Sequence, residues 1–182
     1  MKKLRRELDM VAYRTGSNAI AEKVRSLEEF KSAYRIHCYV SAIGNEADTL
    51  GLLYTMLDAG KIVAVPECLY DTRELRSLAI HSLEELRPAK HGLMEPEYEP
   101  SRVVPSEILN LVIAPVVAFD RNGGRLGMGG GFYDSFLGGC TCSIIGIAYA
   151  FQEVAHVPLE PHDRKLDIIV TDREVIRPHH EQ

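Results

Sequence analysis

With 182 residues, 46% of them hydrophobic, the chain is long enough to bury a core and short for two full domains, so residues 1–182 are read as one domain. Its 26 acidic and 21 basic residues leave a net charge of −5 spread along the sequence, which argues against a general nucleic-acid binder and for small-molecule partners. No apolar run approaches the roughly 18 residues of a membrane span, and the opening MKKLRRELDMVAYR has no apolar core behind its lysines; the expectation is a soluble, cytoplasmic protein without a membrane partner.

In chain order, Leu4, Leu8 and Val11 recur at helical spacing, and Ile20, Val24, Leu27 and Phe30 do so again after Ser17, a candidate cap for a second helix. RIHCYVSA (35–42) is rich in strand formers, DTLGLLYTMLDAG (48–60) reads as a helix ended by Gly60, and KIVAVP (61–66) as a buried strand stopped by proline. LRSLAIHS (75–82) reads as a strand. The proline- and charge-rich stretch 83–105 reads mainly as a long surface loop. ILNLVIAPVVAF (108–119) holds the most apolar strand, GGFYDSFLGG (130–139) a short helix, SIIGIAYA (143–150) and LDIIVTD (166–172) two further strands.

Strands apolar along their whole length, alternating with helices, predict a mainly parallel sheet covered on both faces. Ligands on such sheets sit beyond the carboxyl ends of the strands. The loop after Ala42, the turn at Pro66, the glycine turn after Phe119 and the segment after Ala150 are therefore expected to converge on one site.

Residues 115–137 pack six of the chain's fourteen glycines into PVVAFDRNGGRLGMGGGFYDSFL, a strand-to-helix turn of the kind that lets backbone N–H groups approach an anion. It is not a P-loop, because Phe132 stands after Gly131 where a lysine is required. It is not a dinucleotide fingerprint either, since from Gly127 and Gly129 the third glycine falls on Phe132. In GRLGMGGGFYD, Arg125 offers a forked donor for phosphate and Asp134 lies one helical turn beyond the glycines, within reach of a phosphate-bound Mg²⁺. The competing reading is a tight turn with Asp134 as a solvated helix residue.

Elsewhere, Cys38, Cys68, Cys140 and Cys142 contain one C-x-C and no C-x-x-C, the pattern of neither a disulfide framework nor a zinc ribbon. His156, Glu160 and His162 match no standard zinc spacing, and His179 and His180 fall in a tail expected to fray.

PVVAFDRNGGRLGMGGGFYD resembles the signature of the 5-formyltetrahydrofolate cyclo-ligase family. LRREL near the start, NEADT at 45–49, GKIVAVP at 60–66, GLMEP at 92–96 and EPHDRKLDIIVTD at 160–172 follow in the family's order. The resemblance implies a three-layer α/β/α domain that converts 5-formyltetrahydrofolate and MgATP to 5,10-methenyltetrahydrofolate, ADP and phosphate. It implies nucleotide contacts from Arg5 and from Arg125, Leu126, Gly127, Met128, Gly129, Gly130, Gly131, Phe132 and Tyr133. Folate contacts are implied for Glu46 and for Met128 through Phe132, Mg²⁺ ligation for Asp134 and Asp163, and catalytic roles for Arg125 and Asp134. The partners implied are a reduced folate and ATP, with the chain a monomer or weak homodimer.

Some positions depart from the family's pattern. A lysine common before the first LR falls on Met1, leaving Lys2 or Lys3 nearby; Glu67 stands where a basic residue is common; Met128, Gly130 and Ser135 replace larger or charged groups. They motivate an alternative reading, a divergent paralogue that binds a nucleotide, folate or another ligand without ring closure.

Overall fold

In the computed structural model, which describes residues 1–160 and 163–178, three helices open the chain: α1 (Lys2–Arg6), α2 (Met10–Ser26) and α3 (Glu28–Ser32). The cap of α2 is Asp9, whose carboxylate accepts from the N–H groups of Val11 and Ala12 at 2.9 and 2.8 Å. Ser17 is not a cap. It lies inside α2, buried, with its hydroxyl 3.0 Å from that of Tyr149 and accepting from the Asp48 N–H at 3.1 Å. The apparent stripe of Leu4, Leu8 and Val11 runs across the break between α1 and α2, and Leu4 and Val11 are exposed.

There follow β1 (Arg35–Cys38), α4 (Leu50–Asp58), β2 (Ile62–Leu69), β3 (Glu74–Ile80), β4 (Leu86–Pro88), β5 (Met94–Pro96), β6 (Leu111–Pro115), β7 (Ala118–Phe119), β8 (Arg125–Leu126), α5 (Phe132–Gly138), β9 (Ser143–Ala148), β10 (Ile168–Thr171) and β11 (Val175–Ile176). One sheet of seven strands has the order β11-β10-β9-β6-β1-β2-β3. Its five central strands are parallel, and β3 and β11 close the edges antiparallel.

Alternate residues of the central strands feed two cores. Ile36, Val63, Leu111, Ile113, Ile145, Ile147 and Val170 face α2, α3 and α4, while Ala64, Val112, Ala114, Ile144 and Ile169 face α5. Each fully buried Leu, Ile or Val contributes about 1.5–3 kcal/mol. The expected three-layer arrangement is thus present, with one outer layer thin: among the described residues, the α5 side carries that helix and loops.

Two readings change. The strand at 61–66 is not stopped by Pro66 but continues to Leu69, because β1 pairs β2 only from Ile62 to Ala64, and past that point a residue lacking an N–H is tolerated on what has become an edge. The stretch 83–105 is not mainly loop. It contains the β4–β5 hairpin, with Leu86 opposite Pro96 and Pro88 opposite Met94, pinned where the Cys68 N–H donates to Glu95 Oε1 at 3.3 Å. Both hairpin strands carry proline and charge, so no apolar alternation announces them.

From β1 the chain crosses through α4 on one face to β2, and from β6 it crosses through α5 on the other face to β9. Adjacent strands β1 and β6 are therefore where the winding reverses. Their loops part at the carboxyl edge and leave a crevice.

Candidate active site

That crevice is a cleft of about 530 Å³. One wall is the turn after β1, with Tyr39, Val40, Ile43 and Glu46. The opposite wall is the end of β2 with the β4–β5 hairpin, contributing Pro66, Cys68, Tyr70, His91, Leu93, Met94 and Glu95. Pro115, Val117, Arg125 and the segment Gly127–Asp134 complete it. Three of the four loops expected to converge do so here; the fourth, after Ala150, reaches a neighbouring cavity described below.

The Glu46 wall is built by its turn. Gly44 and Asn45 both have φ of 55°, the left-handed region, which turns the chain back so that Glu46 enters the cleft. Arg5 locks this turn from behind: Nε donates to the Gly44 carbonyl at 2.8 Å, Nη2 to that of Ile43 at 3.3 Å, and Nη2 lies 3.7 Å from Glu46 Oε1. Burial raises the Glu46 pKa above the usual carboxylate range, while Arg5 and nearby backbone N–H groups oppose the rise. Glu95 is likewise raised, first by burial. Glu46 and Glu95 thus place two raised carboxyl groups on opposite walls of a largely apolar cleft.

The glycine turn hangs from β7–β8, a two-stranded ribbon held by Asp120. The Asp120 carboxylate accepts from the N–H groups of Asn122, Gly124 and Val157 at 2.9, 3.0 and 2.8 Å. Burial works against its ionisation, but these donors hold its pKa below the usual value. Arg125 is buried, donates to the Pro115 carbonyl at 3.4 Å, and pairs through Nη2 with Asp134 in the first turn of α5. Gly129 and Gly131 have φ of 92° and 76°, where a side chain would be strained, and the chain there stays exposed at the cleft.

A second cavity of about 540 Å³ is lined by Gly131, Asp134, Ser135, Pro158, Glu160 and Asp163. Gly131 and Asp134 border both spaces. No group of three or more His, Cys, Asp or Glu side chains among the described residues forms a ready metal cage. Mg²⁺ does not need one: it takes one or two carboxylates and fills its shell with water and phosphate oxygens, so the hard oxygen donors of Asp134 and Asp163 fit it.

Not every site residue read from sequence reaches the cleft. Arg5 does not line it and acts on the Glu46 turn instead; from the same end of the chain it is Lys2 that reaches the glycine turn, its Nζ donating to the Met128 carbonyl at 3.1 Å. Leu126 is half-exposed and serves through its carbonyl, which accepts from the Val117 N–H at 2.8 Å. Glu67 faces away and pairs with Arg76 Nη1 at 3.1 Å. His162, His179 and His180 lie outside the described residues. Sequence reasoning missed Tyr39, Tyr70, His91, Glu95 and Asp120. For Asp120 a signal existed in DRNGG, an aspartate heading an Asn-Gly turn.

The family model for 5-formyltetrahydrofolate cyclo-ligase matches residues 1–172. The chain belongs to this family. Among the cyclo-ligase family, it is 31% identical to the 5-formyltetrahydrofolate cyclo-ligase of Haemophilus influenzae, with 93% of each chain covered. It is 35% identical to that of Escherichia coli over 79% of this chain and 80% of the other. The solved structure of Aquifex aeolicus 5,10-methenyltetrahydrofolate synthetase superposes with a TM-score of 0.83 at 30% identity, covering 100% of this chain and 90% of that one. A Mycoplasma pneumoniae 5,10-methenyltetrahydrofolate synthetase shares the fold, with a TM-score of 0.74 at 23% identity over 94% and 93% of the two chains. The glycine segment that carries the resemblance read from sequence is the one that the structure lays along the cleft.

Proposed function

We propose that the protein converts 5-formyltetrahydrofolate and ATP, with Mg²⁺, to 5,10-methenyltetrahydrofolate, ADP and phosphate. The observation that carries this reading is the meeting, in one cleft of a cyclo-ligase-family chain, of the buried Glu46 with the glycine turn, Arg125 and Asp134.

The chemistry asks for such an arrangement. A formamide carbonyl is a poor electrophile and its oxygen a poor leaving group, so closure by the neighbouring folate nitrogen stalls at loss of that oxygen. Moving the γ-phosphoryl group of ATP onto the formyl oxygen turns it into phosphate, which departs once the second nitrogen has closed the five-membered ring. No protein nucleophile is needed; the protein positions two substrates and neutralises charge.

Glu46 is suited to accept from the ring N–H and amino group of a reduced pterin, in an apolar cleft that would receive the pterin's faces. The N–H groups of Gly127–Gly131 and the Arg125 guanidinium are donors for the charge that grows on the transferred group. Lys2 adds a cation at the same turn. Asp134 and Asp163 would hold Mg²⁺, which when bound offsets the negative charge of the phosphates. Phosphates would then lie toward the second cavity and the pterin in the first, with Asp134 between them.

Methenyl-folate absorbs in the near ultraviolet where the formyl compound does not. Protein mixed with 5-formyltetrahydrofolate, ATP and Mg²⁺ should give a rising absorbance that stops when either ATP or Mg²⁺ is withheld. A flat trace from folded protein with both substrates refutes the proposal, and calorimetric binding of ADP and folate without turnover would make the chain a binding paralogue.

A further inference from the structure

His37 is an unusual occupant of its position. It lies in the middle of the sheet, with Ala64 and Val112 as its neighbours on the flanking strands, and it is wholly inaccessible to solvent. A polar ring there is costly unless both nitrogens are satisfied. Both are: Nδ1 is 2.8 Å from Ser77 Oγ on β3, and Nε2 is 3.0 Å from the Tyr133 hydroxyl on α5. The imidazole lies against the Phe136 ring with centroids 4.5 Å apart. Burial lowers its pKa to about 3, so the ring is neutral, one nitrogen donating and the other accepting.

The far end of this chain of bonds is in the cleft. Tyr133 is only half-buried and lines the cavity while its hydroxyl is turned down to His37. The Arg125 guanidinium carbon lies 5.9 Å from the Tyr133 ring centre, and Asp134, the next residue, is the partner of Arg125. Beside the Arg125–Asp134 pair, the Tyr133–His37 bond gives the first turn of α5 a second directional tie, this one reaching into the sheet. The helix has seven residues and starts directly after exposed glycines, so its own hydrogen bonds cannot set its rotation about its axis. Apolar packing resists separation but tolerates small slides, whereas a satisfied buried polar chain accepts one arrangement.

We propose that His37 is a positioning residue: by holding the Tyr133 hydroxyl from inside the sheet, it fixes the first turn of α5 and with it the Arg125–Asp134 pair that faces the phosphates. His37 itself touches no substrate. The kinetic part of the test rests on the cyclo-ligase reading; the structural part does not.

The experiment compares wild type with His37→Leu, His37→Gln, Tyr133→Phe and the triple variant Ser77→Ala/His37→Leu/Tyr133→Phe, which replaces the polar chain by apolar groups and leaves no orphaned partner. Leu57→Ala, on the opposite face of the sheet, serves as a destabilised control. Amide hydrogen exchange over residues 127–138 and steady-state kinetics are the readouts. In the triple variant, melting should stay near wild type, exchange over 127–138 should quicken about tenfold relative to β6 and β9, and kcat should fall about tenfold with KM for MgATP changed less than about threefold. His37→Gln, which keeps a polar atom near the Nε2 position, should recover part of the kcat that His37→Leu loses. Leu57→Ala should melt earlier with kcat intact.

Unchanged exchange over 127–138 together with unchanged kcat in the triple variant overturns the proposal, as does a kcat loss in Leu57→Ala as large as that in the triple variant. If wild type shows no turnover at all, the cyclo-ligase reading fails, and the exchange comparison still decides whether His37 fixes α5.

Discussion

Arg125 and Asp134 are joined across the glycine turn: the buried guanidinium at the start of β8 donates through Nη2 to the carboxylate in the first turn of α5. The pair closes the turn into a loop whose two ends cannot move independently. One end is nearly inaccessible and the other faces both cavities, the side chains being 3% and 40% exposed. A buried cation thereby holds a carboxylate where a metal and phosphates would meet.

On the proposed Mg²⁺ site, Asp134→Asn should cut turnover by about 100-fold or more, since a neutral amide would replace a hard anionic ligand. It should also cost about 1 kcal/mol of stability, because Arg125 keeps an acceptor but loses its counter-charge, an effect moderated by the exposure of Asp134. Melting curves with a Mg²⁺ titration of turnover check both parts. Unchanged Mg²⁺ dependence would remove Asp134 from the metal site.

Arg5 and Lys2, three residues apart on α1, should separate cleanly. Arg5→Ala takes from the Glu46 turn two N–H donors to its carbonyls and a counter-ion, so it should destabilise by about 2–3 kcal/mol and raise KM for the folate. Lys2→Ala removes one exposed contact to the Met128 carbonyl; stability should change by less than about 0.5 kcal/mol while KM for ATP rises. Denaturant unfolding and the two KM values are the measurements. A nucleotide defect in Arg5→Ala with normal folate KM would reverse the assignment.

Glu46 predicts opposite effects on stability and binding. Its folded pKa is raised above the unfolded value, so the folded state binds the proton more tightly, and the stability tied to the protonated form is lost as pH rises through the raised pKa. At neutral pH the ionised carboxylate is thus a burden on the empty protein. Glu46→Gln should melt higher than wild type at pH 7, with the difference shrinking toward pH 4, and should bind the folate far more weakly. A lower melting temperature at pH 7 would contradict this account of the site.

Gly131→Ala tests the turn without adding a clash. A methyl group there meets nothing within 4 Å, but φ is 76°, so the cost is conformational, about 1 kcal/mol. Turnover should fall more than this loss of stability explains, because the residue borders both cavities. Thermal melting beside kcat gives the comparison.

Much of this was legible from local pattern. The parallel strands β2, β6, β9 and β10 are largely apolar because both faces are covered, so they could be read from composition, β1 from its strand formers, and the glycine turn stood out by its density. The first α2 cap was misread because Leu4, Leu8 and Val11 keep helical spacing across a break that only Asp9 and its two N–H partners reveal. The β4–β5 hairpin was hidden by prolines and charges. His91 and Glu95 line the cleft only because that hairpin packs against β2.

What the sequence by itself determined was the inventory: the sheet, the glycine turn with Arg125 and Asp134 at its ends, and the family to which both belong. Which turn each cation holds was decided by the fold, since Arg5 and Lys2 share one short helix yet donate to carbonyls 84 residues apart in sequence, Gly44 and Met128. His37 was decided there too. In sequence it is a polar residue in a short strand that also carries Arg35, and only the place of β3 two strands away in the sheet and of α5 over its face shows that both its nitrogens are spoken for. Apolar pattern is written locally because burial is periodic along each element. Polar partnership is not, because a hydrogen bond selects distance and direction, and those exist only between elements already in place.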